Sequence, residues 1–300
     1  MAEPVCVAPT GDICGEGAVW HAGENALYWT DINRFLIHRY DAADRSVKTW
    51  FFDEPVTAMI LTTVEATLAV VLGSRLILWQ PAGDIRRDFA FRLPGWPKVR
   101  CNDARADPRG SLWIGSMWNN VNADGSGGNI ENGHGALYRV DPDSTVKEFR
   151  RDLGIANTLA WNPRRTVFYF ADTTANVIYQ YDYDAQNGVI SNERDFFRDF
   201  GRGKPDGSAM DAEGYLWNCR YGGGCVVRVA PDGSIERTVE MPTPNVTTCT
   251  FGGADLRTLY ITTAAAGAKP GDRFAGGLFT LETPVQGQAE NRFLVTSDRS

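Results

Sequence analysis

This 300-residue sequence has fewer basic than acidic residues: 30 Lys and Arg against 37 Asp and Glu, for a formal net charge of −7. No cluster of Lys or Arg offsets the acid excess. Nucleic acids and anionic membranes are therefore disfavoured as partners, because both attract proteins through concentrated positive charge.

Long apolar runs are also missing, since no stretch approaches the roughly 18 to 20 apolar residues that a spanning helix needs. The opening residues, MAEPVCVAPTGD, have neither the basic nor the apolar region of a secretory signal. The six cysteines are scattered, without CxxC or zinc-knuckle spacing. We expect reduced and mostly buried thiols, which suits a cytoplasmic protein.

A helical apolar period is absent too, but a short aromatic or β-branched strand pattern recurs at intervals of 41 to 56 residues. Its copies begin at Leu27, Leu68, Leu112, Phe168, Leu216 and Leu259. Further strand patterns follow each copy, and the longest interval holds a Gly- and Asn-rich insertion at 119–135, predicted as a loop. Units of roughly 40–50 residues with about four strands predict an all-β, six-bladed β-propeller, with residues 1–300 as one domain.

The first strand of each unit begins with a polar, oxygen-bearing residue, ten or eleven positions before the pattern just described. These residues are Glu16, Thr57, Asn102, Asn157, Asp206 and Thr248. Because the first strand of each propeller blade lines the central channel, the six positions predict a ring around the axis.

The composition of this ring predicts a metal in the central channel. Two carboxylates and two amide oxygens that converge in a dry channel need a cation among them. Oxygen donors without His or Cys favour a hard divalent ion such as Ca²⁺, Mg²⁺ or Mn²⁺, and Zn²⁺ or Fe²⁺ would need an imposed geometry. Glu16 and Asp206 together balance the charge of one such ion.

Several stretches between residues 14 and 264 resemble the SMP-30/gluconolactonase/regucalcin family: CGEGAVW, RCNDARADPRGSLWIGSM, NTLAWNP, YFADT, PDGSAMDAEGYLW and TTCTFGG. The resemblance implies one divalent metal held by Glu16, Asn157 and Asp206. It also implies substrate contacts by Arg100 and Asn102 in the R-x-N-D motif and by Asn120, where relatives often have Glu. Asn102 thus remains either a fourth metal ligand or a substrate contact.

The reaction that the resemblance implies is hydrolysis of a sugar-acid lactone (an aldonolactone) to the aldonic acid. The metal would polarise the carbonyl, Asp206 would act as general base, and Arg100 would anchor substrate oxygens. Two alternatives are an organophosphate or other ester hydrolase on the same propeller site and a non-catalytic, calcium-binding or protein-binding propeller. A phosphotriester pocket would be more apolar than these residues predict.

Further expectations concern residues outside the ring and the assembly of the propeller. The spacing of His21, His38 and His134 gives no catalytic triad. Asp172 either supports the site or makes a structural hydrogen bond, and Trp118 packs on a sugar face or belongs to the rim. Thr158 stands where the family usually has Asn-Gly. A closed propeller needs no partner, so the sequence is compatible with a monomer but leaves the oligomeric state open. PVCVA near one end or NRFLVT near the other completes the sixth blade.

Overall fold

The computed structural model describes residues 3–296 and contains 24 β-strands and one short 3₁₀ turn, Ala22–Glu24. The strands, in chain order, are β1 (Val5–Ala8), β2 (Gly15–His21), β3 (Ala26–Asp31), β4 (Leu36–Asp41), β5 (Val47–Phe51), β6 (Val56–Leu61), β7 (Leu68–Leu72), β8 (Arg75–Gln80), β9 (Ile85–Arg92), β10 (Val99–Ala106), β11 (Leu112–Trp118), β12 (Gly135–Val140), β13 (Val146–Leu153), β14 (Ala156–Trp161), β15 (Val167–Asp172), β16 (Val177–Asp184), β17 (Val189–Arg198), β18 (Lys204–Met210), β19 (Leu216–Tyr221), β20 (Cys225–Val229), β21 (Ile235–Glu240), β22 (Val246–Gly252), β23 (Thr258–Thr263) and β24 (Leu278–Glu282).

These strands form six antiparallel four-stranded sheets, which confirms the predicted six-bladed propeller. Five blades use four consecutive strands each, from β2–β5 to β18–β21. The sixth blade has the order β1-β24-β23-β22, so the N-terminal strand closes the ring. Of the two segments predicted to complete this blade, PVCVA is therefore the one that does so. The ends of the predicted 1–300 domain, residues 1–2 and 297–300, lie outside the described residues.

Burial follows the order of strands within a blade. The innermost strands are almost wholly buried, as in β6 and β14, whereas outer strands such as β9 and β13 expose most of their residues. This gradient explains why the outermost strands, such as β9 and β13, have polar sequences. Within residues 3–296, no helical segment has the length and apolarity that crossing a bilayer requires.

The repeated D-x-x-G-x-L-W motif has a structural role. Oδ1 of Asp107 accepts hydrogen bonds from the backbone amides of the turn before β11, while Oδ2 accepts one from Trp113 Nε1 at 3.0 Å. Asp211 and Trp217 repeat this arrangement at 2.9 Å two blades later. The aspartate thus fixes the turn and satisfies the indole N–H of a tryptophan that is otherwise buried between blades.

All six innermost strands carry a β-bulge near their first residues. The register shifts lie between Glu16 and Val19, Val56 and Ala58, Cys101 and Ala104, Asn157 and Ala160, Pro205 and Ser208, and Val246 and Cys249. Each of the six polar positions predicted from the repeats lies at its blade's bulge. Since a bulge twists the strand and redirects a side chain, it positions these residues around the channel.

The chain's last described stretch is residues 284–296, and we call it the closing segment. It crosses the channel at the end where the innermost strands finish, opposite the end that carries the six polar ring residues. Gln288 N donates to Met210 O at 2.9 Å, and Asn291 Nδ2 donates to Ala106 O at 3.1 Å. Phe293 N donates to Leu61 O at 2.8 Å, and its side chain is fully buried. NRFLVT therefore does not extend the sixth blade but spans the C-terminal ends of innermost strands in three other blades.

Candidate metal and lactone site

Glu16 reaches the channel because of the glycines on either side of it. Gly17 has a φ of +59°, and a Cβ there would lie 3.0 Å from the Cα of Ala58 in the next blade. A Cβ at Gly15 would lie 2.7 Å from the carbonyl oxygen of Thr263. Larger residues would push the start of β2 away from both neighbouring blades. The glycines thus allow this glutamate to approach the axis, and Gly17 N donates to its Oε2 at 3.0 Å.

Asp206 faces Glu16 across the channel, close enough for each carboxyl group to act on the pKa of the other. Burial, the charge of Asp206 and that of Asp103 raise the pKa of Glu16 well above its usual range. Burial and the charge of Asp103 raise the pKa of Asp206 to about 8. No cationic side chain among residues 3–296 forms an ion pair with either carboxylate within 4.0 Å. The raised pKa values favour protonation of this pair wherever no cation neutralises it.

Asn157 lies beside this pair with its amide held at both ends. Its Nδ2 donates to Thr173 Oγ1 at 2.8 Å, and that hydroxyl donates to the Pro205 carbonyl at 2.7 Å. Its Oδ1 accepts a 2.9 Å hydrogen bond from Asn102 Nδ2. An amide oxygen has two lone pairs, so one of them remains for a ligand in the channel.

Arg100 connects the two other predicted substrate contacts. Its Nη1 donates to Asn102 Oδ1 at 2.8 Å, and its Nε and Nη2 both donate to Asn120 Oδ1, at 3.2 and 2.9 Å. The guanidinium is buried, with only 4% of the residue exposed, and burial lowers the pKa of Arg100. Within the described chain it has no carboxylate partner, so its charge is available to an oxygen-rich ligand.

The threonines of the ring do not join this cluster. Thr57 Oγ1 donates to the Val71 carbonyl of its own blade at 3.3 Å. Thr248 packs against Gly207, where a Cβ would lie only 2.0 Å from the threonine Oγ1. The structure thus brings together four of the six ring residues, Glu16, Asn102, Asn157 and Asp206, with Arg100 and Asn120 beside them.

The donor set fits one divalent cation. Glu16 and Asp206 supply two negative charges, and Asn157 supplies an oriented amide oxygen. The described residues contain no group of three or more His, Cys, Asp or Glu side chains that could hold a metal, so the set combines the two carboxylates with this amide oxygen. Such an all-oxygen set suits a hard ion. Asn102 Oδ1 accepts from Arg100 and, like Asn157 Oδ1, keeps a second lone pair, so Asn102 lies between Asn157 and Arg100 and can serve as a metal ligand or as a substrate contact.

Sequence reasoning missed several residues that shape the site. Asp103 follows Asn102 in the R-x-N-D motif and raises the pKa values of both carboxyl groups through its charge. Thr173, which orients Asn157, follows the expected candidate Asp172. Asp172 itself binds backbone amides of the surrounding turn, such as Gly154 N at 2.9 Å, and is structural. Asp103 could have been found from its place in the motif, whereas the role of Thr173 depends on a contact between blades, for which the sequence has no signal.

Thr158 occupies the bulge position after Asn157, with a φ of +54°. A β-branched residue is strained there, which explains why glycine suits this place. Its buried hydroxyl donates to the carbonyl of Asp206 and lies 2.9 Å from Ser208 Oγ. Thr158 thus compensates for its strain by tying β14 to the strand that carries Asp206.

The rim of the channel at the Glu16 end includes the predicted insertion. Val121 is buried, and Gly125 O accepts a 2.9 Å hydrogen bond from Asn33 Nδ2 of the first blade. Trp118 contacts the exposed His134, with ring centroids 4.8 Å apart. The insertion therefore packs across the second blade, and its His134 contacts Trp118.

Comparison with known proteins gives a consistent assignment. Residues 14–265 match the model of the SMP-30/gluconolactonase/LRE-like region. The chain is 34% identical to a 6-deoxy-6-sulfogluconolactonase of Pseudomonas putida over 96% of this chain and 97% of that protein. It is 35% identical to a pentonolactonase of Haloferax volcanii over 95% and 96% of the two chains. Among solved structures, a calcium-binding regucalcin from Agrobacterium tumefaciens superposes with a TM-score of 0.88 at 26% identity, covering 96% of each chain.

Proposed function

Because this chain belongs to the SMP-30/gluconolactonase/LRE-like family, we propose that it is a hydrolase that opens a sugar lactone to the corresponding sugar acid. One observation carries this proposal: the facing carboxyl groups of Glu16 and Asp206 lie in the same channel as the buried, carboxylate-free guanidinium of Arg100. Lactone hydrolysis needs a base for water and positive charge for the oxyanion, and this arrangement offers both.

We further propose that Glu16, Asn157 and Asp206 hold one divalent metal ion. When bound, the ion supplies the positive charge that polarises the lactone carbonyl and stabilises the oxyanion. Ca²⁺ is the first candidate, since a similar structure is described as calcium-binding, and Zn²⁺, Mn²⁺, Mg²⁺ and Fe²⁺ are compatible with the same oxygens.

Asp206 is the proposed general base. Its carboxylate takes a proton from the attacking water while the water oxygen bonds to the lactone carbonyl carbon. When the ring C–O bond breaks, the same proton passes to the departing ring oxygen, which becomes a hydroxyl. The hydrogen bond between Thr158 and the Asp206 carbonyl holds the backbone of the base in place.

Arg100, Asn102 and Asn120 are the proposed substrate contacts. Two donors of Arg100 bind Asn120 Oδ1 and fix the orientation of the amide. Asn120 Nδ2 has no protein partner among residues 3–296, so it can donate to a substrate oxygen. Such amide and guanidinium groups suit a substrate rich in hydroxyl or carbonyl oxygens. An apolar phosphotriester would leave them unsatisfied, which disfavours the organophosphate alternative.

The test is acid release in a weakly buffered indicator from pentono- and hexonolactones, including a 6-sulfonated one. The enzyme is first stripped with chelator and then restored with single metals. Turnover that depends on a metal and is lost in Asp206→Asn supports the proposal. If no lactone is hydrolysed with any metal while aryl esters or phosphotriesters are, the chain is an ester hydrolase. If an ion binds and nothing is hydrolysed, the chain is a binding propeller.

Two broader expectations accompany this proposal. The sixth blade is closed within the chain itself, so no partner is needed to cover an open edge, and we propose a monomer. All six cysteines are free. Free thiols of this number suit a reducing compartment, and we propose the cytoplasm.

A further inference from the structure

A buried ion pair crosses the channel beneath the candidate metal site. Arg105 extends from β10, and its Nη1 donates to the Ser208 carbonyl of β18 at 2.6 Å. Glu290 of the closing segment places Oε2 3.4 Å from Arg105 Nε, and its Oε1 accepts from Thr250 Oγ1 of β22 at 3.0 Å. Both charged side chains are only 14% exposed. Arg105 and Glu290, here called the brace, thus connect three blades with the closing segment.

The brace lies close enough to the site for its charges to act there. Arg105 and Glu290 line one small cavity together with Gly17, the neighbour of Glu16, and Asp103, the neighbour of Asn102. Ser208, which Arg105 contacts, is two residues from Asp206. The charge of the guanidinium acts on Glu290, Asp103 and Glu16, and its ion pair with Glu290 ties it to the closing segment.

We propose that Glu290 is a positioning residue that holds Arg105 away from Glu16 and Asp206 and so keeps both carboxylates available to a divalent cation. This inference rests on the metal site proposed above. If Glu290 lost its charge, the guanidinium would be drawn upward by the three carboxylates of Glu16, Asp103 and Asp206. It would then compete with the metal for the same oxygens.

Opposite effects follow from removing the two charges. Glu290→Gln leaves the charge of Arg105 uncompensated under the site, and metal affinity falls about tenfold, the size expected for one charge in a partly dehydrated channel. Arg105→Gln removes the positive charge and leaves that of Glu290, so metal affinity rises by a similar factor. The double variant returns toward the wild-type affinity. A purely structural brace would instead lower the affinity in both single variants.

The experiment is calorimetric titration of Ca²⁺, and separately of Mn²⁺, into chelator-stripped protein. The matched control is Glu282→Gln, because Glu282 Oε1 also accepts from a threonine, Thr258 Oγ1 at 2.9 Å, but is exposed and distant from the channel. Opposite shifts for the two brace variants, with an unchanged control, support the proposal. Equal losses, or no change in either variant, overturn it.

Folding and the metal site itself are checked in the same series. Circular dichroism shows which variants fold, and an increase in affinity for Arg105→Gln alone cannot come from structural damage. If neither single variant folds, the brace is structural and the inference is wrong. If the wild-type protein binds neither ion, the proposed metal site itself is contradicted, and the role of Glu290 is contradicted with it. Normal wild-type binding with equal losses in the variants contradicts only the role of Glu290.

Discussion

Asn102 donates a 2.9 Å hydrogen bond from Nδ2 to Oδ1 of Asn157, in the neighbouring blade. The same side chain accepts at Oδ1 from Arg100. Asn102 therefore connects the proposed substrate-binding arginine to a proposed metal ligand. A lactone that engages Arg100 and a metal held by Asn157 would share this one side chain, which couples the two functions of the site.

Replacing Asn120 with alanine is expected to weaken substrate binding more than turnover. The change removes the oxygen that accepts from Arg100 Nε and Nη2 and leaves the buried guanidinium less well oriented. We expect KM for the preferred lactone to rise about tenfold, the effect of one lost charge-assisted hydrogen bond. Steady-state kinetics measure it, with Asn119→Ala as the control, because the hydrogen bonds of the Asn119 side chain go to the Pro97 carbonyl and the Val121 amide and not to Arg100. Equal effects of both variants would contradict the assigned role of Asn120.

Metal binding is expected to release protons and to strengthen as pH rises. The pKa of Asp206 is raised to about 8 in the metal-free site by burial and by the charge of Asp103. Below that pH the carboxyl pair retains a proton that a divalent ion must displace. Calorimetry in buffers of different ionisation enthalpy measures the protons released. Release near pH 7 and little above pH 9 is the expected result, and pH-independent affinity from 6 to 9 would argue against it.

The same raised pKa predicts how the stability of the metal-free protein depends on pH. An aspartate with a folded pKa near 8 and an unfolded pKa near 3.8 binds more proton when folded, so the free energy of unfolding falls as pH rises between these values. Thermal unfolding from pH 5 to 8 tests this. Asp206→Asn, which cannot ionise, should show a shallower decline. A metal-free protein that becomes more stable toward pH 8 would contradict the prediction.

At Thr158, glycine is expected to be tolerated better than alanine, the reverse of the usual order in a strand. Both variants lose the hydroxyl that bonds to the Asp206 carbonyl, but only glycine relieves the strain of φ +54°. Thr158→Ala should lower the free energy of unfolding by about 1–3 kcal/mol. Thr158→Gly should be about 1 kcal/mol more stable than Thr158→Ala, because αL strain costs about that much. Chemical denaturation compares the two, and alanine at least as stable as glycine would refute the strain argument.

The closing segment is expected to contribute to stability through one side chain. Phe293 is fully buried and contacts Phe89, with ring centroids 5.8 Å apart. Phe293→Ala should cost about 3–5 kcal/mol of unfolding free energy. Leu294→Ala, at the adjacent position with 40% exposure, should cost less than about 1 kcal/mol. Similar losses in the two variants would mean that the segment does not pack as described.

The sequence by itself determined the number of blades and the position of the ring. Strands repeat with the period of the blades, and every innermost strand must begin with its bulge in the same register. Counting back from Leu27 or Phe168 therefore reaches Glu16 or Asn157 without any structure. The glycines beside Glu16 could be interpreted for the same reason, since close approach to the axis leaves no room for a Cβ.

Tertiary structure alone decided which ring residues meet and what supports them. Thr57 and Thr248 share the register of Glu16, but Thr57 bonds to a carbonyl of its own blade and Thr248 packs against Gly207 of the neighbouring blade. The choice of the N-terminal strand to close the sixth blade depended on competition between two distant segments. Glu290 reaches Arg105 across 185 residues of sequence only because the closing segment spans the channel. Local patterns determine the repeat, whereas contacts between blades determine the charges around the site.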